Sequence, residues 1–443
     1  MSVPNAACTI ALALVVVVVV VFVAVWLARR GADGVRRLLA TYRLSKVASR
    51  RVTVVDGTNK VVYDTGERAA ARDARRVVFV ADDADEFVTR CIGDHDAFVD
   101  ALAEGRWHVA DRGALAALVL SDHGKLFGDV LPLRPSYKAT APREERYFVS
   151  PALSESLFGG GGPGRFGLWG QHGDDSSYAA SRRALEALCA SSCQASSSSS
   201  CDCDRDCDRD CDRDVAVVAA TELVGPRRDA VDVVLSAAGC RLGATCTTAE
   251  QLPAASCDRL LCIETLETTG KKRVKAHLAA VRAALRPGGR AAFQTVVLSS
   301  PKARGAVQAA CGPVMPGGFD PVTVQTLYGL AEACGLTVRS LTAFEPEHGA
   351  RTVADWQSRL SELATCAVQA PQAVQAPQAT VCAASSCDGV SDQQRRVFEY
   401  GFAVLRTAFE TGRLQLVHFT LATKNEQVTP RRCRSRRAGC RQT

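Results

Sequence analysis

Three polar side chains stand where this chain could do acid–base chemistry. Glu267 follows the apolar run 260–263, Gln294 lies inside the apolar run 291–297, and His348 stands in E-H-G-A-R-T-V-A-D-W. Carboxyl, amide and imidazole groups can hold, orient or move a proton. Alternatively, Glu267 is a surface carboxylate, and Gln294 and His348 are polar groups satisfied inside the fold. The residues alone leave both interpretations open.

A glycine after another apolar run indicates a turn at which the backbone could bind a ligand. Gly225 follows the apolar run 215–218 in E-L-V-G-P-R-R-D-A-V. A glycine there forms a sharp turn and lets the backbone approach a ligand where any Cβ would collide. Arg227 and Arg228 are then either solvated charges or partners for a ligand's carboxylate.

The 19 cysteines predict no metal site. Those at 201, 203, 207 and 211 lie in a four-residue repeat, which gives zinc-like spacing without any metal, and no histidine completes a familiar pattern. An odd count in a long chain also excludes a small disulfide-rich secreted domain.

The elements that position these residues alternate between strand and helix. Apolar runs predict strands and 3.6-residue spacing predicts helices. The expected strands are 215–218, 260–263, 291–297, 336–341 and 414–421, and the expected helices lie near 274–285, 323–334 and 398–409. Such alternation predicts an α/β sheet covered on both faces, with the last helix and strand adding an antiparallel edge.

A smaller mixed domain is predicted ahead of this sheet. Alternating β-branched runs flank Asp56-Gly57, which predicts a hairpin, and residues 77–80 form another strand. The expected organisation is a membrane anchor 1–28, a basic segment 29–51, a small domain 52–140, a main domain 141–429 and a basic tail 430–443. Low-complexity insertions at 190–214 and 364–388 interrupt the main domain and are expected to be loops.

The N-terminal segment predicts a single membrane span. Ala6 to Ala28 are uncharged, with valine at every position from 15 to 21. A helix of that length covers ~34 Å, enough for the ~30 Å core of a bilayer. A cleaved signal peptide is the alternative, but it would have a basic start and a shorter apolar core. Since Lys and Arg follow the span and none precedes it, the body is expected on the cytosolic side.

Charge is concentrated at the two ends of the chain. Of the formal +7, residues 29–51 contribute +7 and residues 430–443 contribute +6, which leaves −6 for 52–429. A mildly acidic body excludes a nucleic-acid binder by composition, and the basic ends favour membrane phospholipids as partners. A solvated, disordered end is the alternative for the tail. The sequence does not indicate an oligomeric state.

Four ordered blocks and a matching tail resemble the cyclopropane-fatty-acyl-phospholipid synthase and mycolic acid methyltransferase family. The blocks are C-D-R-L-L-C-I-E-T-L-E-T-T-G (257–270), L-R-P-G-G-R-A-A-F-Q-T (285–295), V-M-P-G-G-F-D-P-V (314–322) and E-H-G-A-R-T-V-A-D-W (347–356). The resemblance implies a Rossmann-like class I methyltransferase sheet with S-adenosylmethionine as donor. The implied activity adds a carbon to the double bond of a phospholipid acyl chain.

The resemblance also assigns roles. Glu267 stands at the family's catalytic glutamate, Gln294 at a histidine position that is glutamine in some relatives, and His348 beside the position of a tyrosine. Family members hold a bicarbonate-like base with such groups. Gly225, Gln251 and Ile263 would line the donor pocket.

The chain departs from the family at several of these positions. Gly167 stands at the cysteine position and Gly349 at the tyrosine, and Arg227 replaces a second glycine. About 25–30 residues that carry a helix and a third strand are missing between Gln251 and Cys257. Either the fold closes around the gap or the gene model is imperfect. The alternative function is therefore a catalytically inactive relative kept as a lipid-binding or scaffold protein.

Overall fold

The computed structural model describes thirteen ranges of the chain, namely 34–35, 37–47, 51–65, 76–127, 151–159, 165–170, 176–193, 213–219, 226–238, 240–267, 270–315, 318–373 and 390–423. The predicted span Ala6–Ala28, the turn at Gly225, the cysteine repeat and the basic tail lie outside them. Within these ranges no helix has the length and apolar character needed to cross a bilayer.

The described residues up to Phe127 form three longer helices and four strands. In chain order they are α1 (37–46, with 34 and 35 also helical), β1 (Val52–Asp56), β2 (Val61–Asp64), β3 (Val77–Ala81), α2 (His95–Ala103), β4 (Trp107–Val109) and α3 (Arg112–Phe127). Short helical turns lie at Ala84–Glu86, Phe87–Cys91, Pro151–Ser154 and Glu155–Gly159.

The described residues from 176 onward form the remaining helices and strands. They are α4 (Ser177–Cys193), β5 (Arg213–Ala219), α5 (Pro226–Ala237), β6 (Cys240–Cys246), β7 (Cys257–Ile263), α6 (Gly270–Ala284), β8 (Leu285–Leu298), α7 (Arg304–Cys311), α8 (Val324–Ala333), β9 (Leu336–Ala343), α9 (Pro346–Ala373), α10 (Asp392–Glu410) and β10 (Leu414–Thr423). Single turns lie at Ala249–Gln251 and Pro301–Ala303. Each strand and helix predicted within the described ranges is present. Helix α9 continues to Ala373, into the insertion expected to be a loop.

The chain divides into two compact units. One consists of residues 1–154, 302–316 and 353–411, and the other of 155–301, 317–352 and 412–443. The sequence predicted one contiguous boundary at residue 140, whereas the structure groups two later segments with the N-terminal part. The apolar stripe of α10 showed that this helix is buried, but periodicity does not identify the surface that buries it.

The first unit contains a four-stranded sheet in the order β2-β1-β3-β4. The predicted hairpin is confirmed, since β1 and β2 pair antiparallel and Asp56 Oδ1 accepts hydrogen bonds from the Thr58 and Lys60 amides in the turn. Phe79, Phe98 and Trp107 fill the core against this sheet, with the Phe98 and Trp107 ring centroids 4.3 Å apart.

The second unit contains a six-stranded sheet in the order β6-β5-β7-β8-β10-β9. Strands β5 to β8 are parallel, and β10 pairs antiparallel with both β8 and β9. Residues of α6 and α8 pack on one face of the sheet and residues of α4 and α5 on the other. The fold is thus a doubly wound, Rossmann-like α/β sheet, as predicted.

The antiparallel strand is not at the edge, where the sequence analysis placed it. Strand β10 lies between β8 and β9 and is buried along nearly its whole length. Nine of its ten residues are buried, the polar His418 and Thr420 among them, because neighbouring strands bond it along both sides.

The gap after Gln251 is closed by a short crossover. Ten residues, 247–256, connect the end of β6 to the start of β7 across β5, where parallel strands are usually joined by a dozen or more residues that include a helix. A single turn replaces that helix, with Ala249 buried, and the Ala255 and Ser256 amides donate to the last carbonyls of α6. In the described sheet β6 is therefore the edge strand, and the third strand that the family resemblance implies is not part of it.

Two helical glycines give opposite predictions for stability. A Cβ on Gly401 in α10 would lie 2.7 Å from Val314 Cγ2 and 3.1 Å from the Ala310 carbonyl oxygen, whereas a Cβ on Gly329 in α8 would meet nothing within 4 Å. Alanine favours a helix over glycine by about 1 kcal/mol, and overpacking costs about 1–3 kcal/mol. Gly329→Ala should therefore raise the free energy of unfolding and Gly401→Ala should lower it, both measured by urea denaturation.

The double variant Gly401→Ala/Val314→Ala serves as the control. It removes the clashing methyl group and should be more stable than the two single changes predict together. Equal stabilisation by Gly401→Ala and Gly329→Ala would show that α10 does not pack closely on the 310–314 segment.

Candidate functional site

The winding of the sheet locates the site. From β5 the chain moves outward to β6, then crosses back over β5 to β7 and continues to β8. The direction of winding therefore reverses between β5 and β7, and ligands of doubly wound sheets bind outside the carboxyl ends of the strands at such a switch point. The first residue after β7 is Glu264.

Glu264 is buried in a strained backbone conformation. Its φ is +55°, in the left-handed region that a residue with a Cβ enters at a cost of about 1 kcal/mol or more. Its Oε1 accepts hydrogen bonds from the Phe166 amide at 2.7 Å and from Gln294 Nε2 at 3.2 Å, and its own amide donates to the Gln294 carbonyl at 2.8 Å. Such strain persists where surrounding contacts over-determine it, and it is common at functional sites.

Glu267, predicted from the motif, lies at the end of the same loop and is 1% exposed. Its Oε2 accepts from Thr295 Oγ1 at 2.5 Å, and its carbonyl accepts from the Asp320 amide at 2.6 Å. Among the described residues, none forms a hydrogen bond with its Oε1. The alternative of a surface carboxylate is therefore excluded by its burial.

Burial and a like charge set the protonation of this pair. Desolvation, followed by repulsion from Glu264, raises the pKa of Glu267 to about 8. Desolvation also raises the pKa of Glu264, while the Arg165 guanidinium and the Phe166 amide act to lower it. At neutral pH Glu267 is therefore mostly a neutral acid with a pKa close to the surrounding pH, which suits proton transfer.

Gln294 connects Glu264 to a histidine. Its Nε2 donates to Glu264 and to the Phe166 carbonyl at 3.0 Å, so its Oε1 accepts from His418 Nε2 at 3.0 Å. Burial lowers the pKa of His418 to about 4, which keeps the ring neutral with its proton on Nε2. Gln294 is thus a fully bonded polar group that also orients Glu264.

The segment 165–170, here called the strap, joins these groups to His348. Phe166 bonds Glu264 and Gln294, the Gly167 amide donates to Thr352 Oγ1 at 3.4 Å, and the Trp169 amide donates to His348 Nδ1 at 3.0 Å. Burial, followed by Arg351, lowers the pKa of His348. Gln294 and His348 therefore both bond the strap, whereas Glu267 bonds Thr295 and the Asp320 amide and is linked to this network through the charge of Glu264.

The strap also explains the glycine at position 167. A Cβ there would lie 2.7 Å from the Ala180 carbonyl carbon and 2.7 Å from its Cβ, both in α4. The side chain that the family resemblance expects at this position has no room in this chain.

The three residues predicted to hold the donor differ in where the structure places them. Gly225 lies outside the described residues, and helix α5 begins at Pro226, where proline is tolerated because the first helical amides are unbonded anyway. Gln251 follows β6 at the same edge of the sheet, but its Oε1 accepts from the Thr247 and Thr248 amides and caps its own turn. The Ile263 side chain is buried in the core cluster with Leu185 and Val217, so only its backbone reaches this edge.

Sequence reasoning missed part of the site. Glu264, Thr295, His418 and Phe166 all bond the predicted residues, and none was singled out. Glu264 carried a usable signal, because it stands directly after a predicted strand and three residues before Glu267. Phe166 carried none, since it acts through its backbone.

Comparisons with known proteins find likeness only in structure. No family model and no curated protein matches the sequence. The cyclopropane synthase MmaA2 from Mycobacterium tuberculosis is similar over 64% of this chain and 95% of its own, with 14% identity and a TM-score of 0.41. Coclaurine N-methyltransferase, solved with N-methylheliamine and SAH, covers 74% of this chain and 98% of its own, with 11% identity and a TM-score of 0.44.

A third structure, a putative sarcosine dimethylglycine methyltransferase from Galdieria sulphuraria, covers 65% of this chain and all of its own, with 11% identity and a TM-score of 0.42. At such identities the chemistry of this site rests on the chain's own residues.

The raised pKa of Glu267 predicts a pH-dependent gain in stability for Glu267→Gln. The folded state holds the proton up to about pH 8, whereas the unfolded chain releases it near the ordinary value of 4.5. This group therefore stabilises the fold fully below that value, and the contribution is lost as the pH rises through about 8. The neutral amide avoids that loss, so the variant should exceed the wild type by a few kcal/mol at about pH 8 and by much less at about pH 5.

The measurement is the Tm of both proteins across that range, where each kcal/mol corresponds to roughly 2–4 °C. Glu332→Gln, which changes an exposed glutamate of α8, is the matched control and should leave the Tm unchanged at every pH. A Tm difference for Glu267→Gln that does not vary with pH would contradict the assignment.

Proposed function

We propose that the protein transfers the methyl group of S-adenosylmethionine to the double bond of an unsaturated phospholipid acyl chain. The observation that carries the proposal is the buried Glu264–Glu267 pair with Gln294 at the switch point of a doubly wound sheet. The motif blocks of the sequence and the reversed strand β10 support the same class of reaction. The product would be a cyclopropane ring or a methyl branch beside a regenerated double bond.

The donor would bind at the carboxyl edge of β5, β6 and β7. The backbone after β5 at Gly225, the turn at Gln251 and the backbone at Ile263 all follow strands that end there, with β6 and β7 about 10 Å apart on either side of β5. When bound, S-adenosylmethionine supplies an electrophilic methyl group. Gln251 would offer its amide nitrogen, because its Oε1 is occupied by its own turn.

Glu267 would act as the base. Methylation of an alkene carbon would form a C–C bond and break the S–CH3 bond of the donor, which leaves as S-adenosylhomocysteine. The neighbouring alkene carbon becomes a carbocation, and the product forms when a base removes a proton. The Glu267 carboxylate, which is the minority form at neutral pH because its pKa is about 8, can accept that proton at Oε1, and its population grows as the pH rises through 8. Thr295 would hold Glu267 in place, and burial together with the charge of Glu264 would raise its pKa.

A bicarbonate base does not fit these residues. Gly167 leaves no room for a cysteine, Gly349 carries no side chain, and His348 Nδ1 already accepts from the strap. Among the described residues of this network, Glu267 Oε1 is the one acceptor without a hydrogen bond, so the proton is assigned to the glutamate directly.

A membrane location follows from the substrate and the sequence. The proposed span Ala6–Ala28 would anchor the chain once, with the catalytic body on the cytosolic side, where the basic flanks meet anionic phospholipid. Phospholipids are then both partner and substrate.

A second candidate function is an inactive relative that binds or organises membrane lipids. The closed strap favours it, because the cluster is buried under residues 165–170 and Glu267 is 1% exposed. An enzyme would need the strap to open for substrate, whereas a scaffold protein would not.

Labelled methyl transfer distinguishes the two functions. The full chain in vesicles of oleoyl phosphatidylglycerol should transfer labelled methyl from S-adenosylmethionine to lipid, and Glu267→Gln should reduce the rate by about 10²-fold or more with little change in KM. Glu332→Gln should retain the wild-type rate. Transfer that survives in Glu267→Gln removes the base assignment, and no transfer from folded wild-type protein favours the inactive relative.

A further inference from the structure

Helix α1 is apolar on two opposite faces, and only one of them is covered. Ala40, Leu44 and Val47 on the inner face are buried. On the outer face, Leu38 is 71% exposed and Tyr42 is 52% exposed. Seven large apolar side chains are exposed in the described part of the chain, and three of them, Val35, Leu38 and Tyr42, belong to this short stretch.

The spacing places these three side chains together. Positions 35, 38 and 42 follow the i, i+3, i+7 pattern that aligns residues along one stripe of a helix. Lys46 lies at the end of the same stripe, with its Nζ 5.0 Å from the centre of the Tyr42 ring. The outer face is therefore an apolar stripe with a cation at its margin.

The helix is held firmly with this stripe outward. Arg43 is buried, and its Nη1 donates to the Leu126 carbonyl at 3.4 Å. Tyr63 Oη donates to the Thr41 carbonyl at 3.3 Å, and Arg37 pairs with Asp85 at 3.0 Å. The stripe cannot turn inward without breaking these contacts, so its exposure is a property of the folded unit.

We infer that this stripe, formed by Val35, Leu38 and Tyr42, docks on an anionic lipid surface. Two observations identify the occupant. The uncharged segment Ala6–Ala28 ends a few residues before the helix, which brings the helix to the margin of any bilayer that this segment enters. Residues 29–51 contain eight Lys and Arg. Without Arg37 and Arg51, which pair with aspartates, and buried Arg43, five cations and one acid remain in the sequence, a charge that complements anionic headgroups and opposes docking on a basic protein surface.

Such a helix would lie in the plane of the interface. Its apolar stripe would enter the boundary between headgroups and acyl chains, while Lys46 extends toward the phosphates along the Tyr42 ring. This contact would fix the orientation of the first unit on the membrane, which a single span alone does not do. The inference stands on the helix and does not depend on methyl transfer.

Photolabelling in vesicles tests the docking. The full chain is placed in phosphatidylcholine vesicles containing about one quarter phosphatidylserine and a trace of diazirine-bearing phospholipid, illuminated, and mapped by mass spectrometry. Label is expected on residues 35–46 as well as within 6–28. Without phosphatidylserine, label on the helix should fall at least about twofold.

Matched variants make the result specific. Leu38→Ser/Tyr42→Ser should reduce label on the remaining positions of 35–46 at least about fivefold, with label on 6–28 unchanged. Val61→Ser/Tyr328→Ser removes two other exposed large apolar side chains, 51% and 45% exposed, and should not alter the label on 35–46. Label confined to 6–28, or equal label on Val61 and on Leu38, would overturn the docking while leaving the anchor in place.

Discussion

The burial of two carboxyl groups at one edge of the sheet is the constraint that organises the second unit. Burying a carboxylate costs free energy unless the group is protonated or accepts hydrogen bonds, and Glu264 and Glu267 avoid this cost in different ways. Glu264 accepts hydrogen bonds from Phe166 and Gln294, whereas Glu267 keeps its proton to about pH 8. One group is held as a structural acceptor, and the other remains available for proton transfer.

The partners of this pair come from distant parts of the chain. The Phe166 backbone bonds Glu264, His418 of β10 orients Gln294, and His348 at the start of α9 binds the same strap through Trp169. The position of β10 between β8 and β9 is what brings His418 opposite Gln294. The reversed strand therefore contributes to the site as well as to the sheet.

The sequence predicted where strands and helices lie along the chain better than it predicted which of them pair or pack together. Apolar runs and helical spacing located the strands and helices that were predicted, because a chain of this pattern can bury its apolar residues in few ways. They gave no prediction for α1, α4, α5, β6 or α9. Pairing depends on tertiary contacts, so β10 was misplaced at an edge and α10 was assigned to the wrong unit. In the site, the motif predicted Glu267 and Gln294. It could not predict the Phe166 backbone contacts, which depend on no side chain, or the lack of space at Gly167.

Titration calorimetry of the full chain in detergent with S-adenosylmethionine tests whether the switch point of the sheet binds a methyl donor. We expect a Kd in the micromolar range, which is a binding free energy of about −8 kcal/mol, because the strand ends around the switch point still form a donor site despite the short crossover. No heat at millimolar donor from protein with an intact thermal transition would contradict it. The buried carboxyl pair would then belong to an inactive fold that serves the membrane by binding alone.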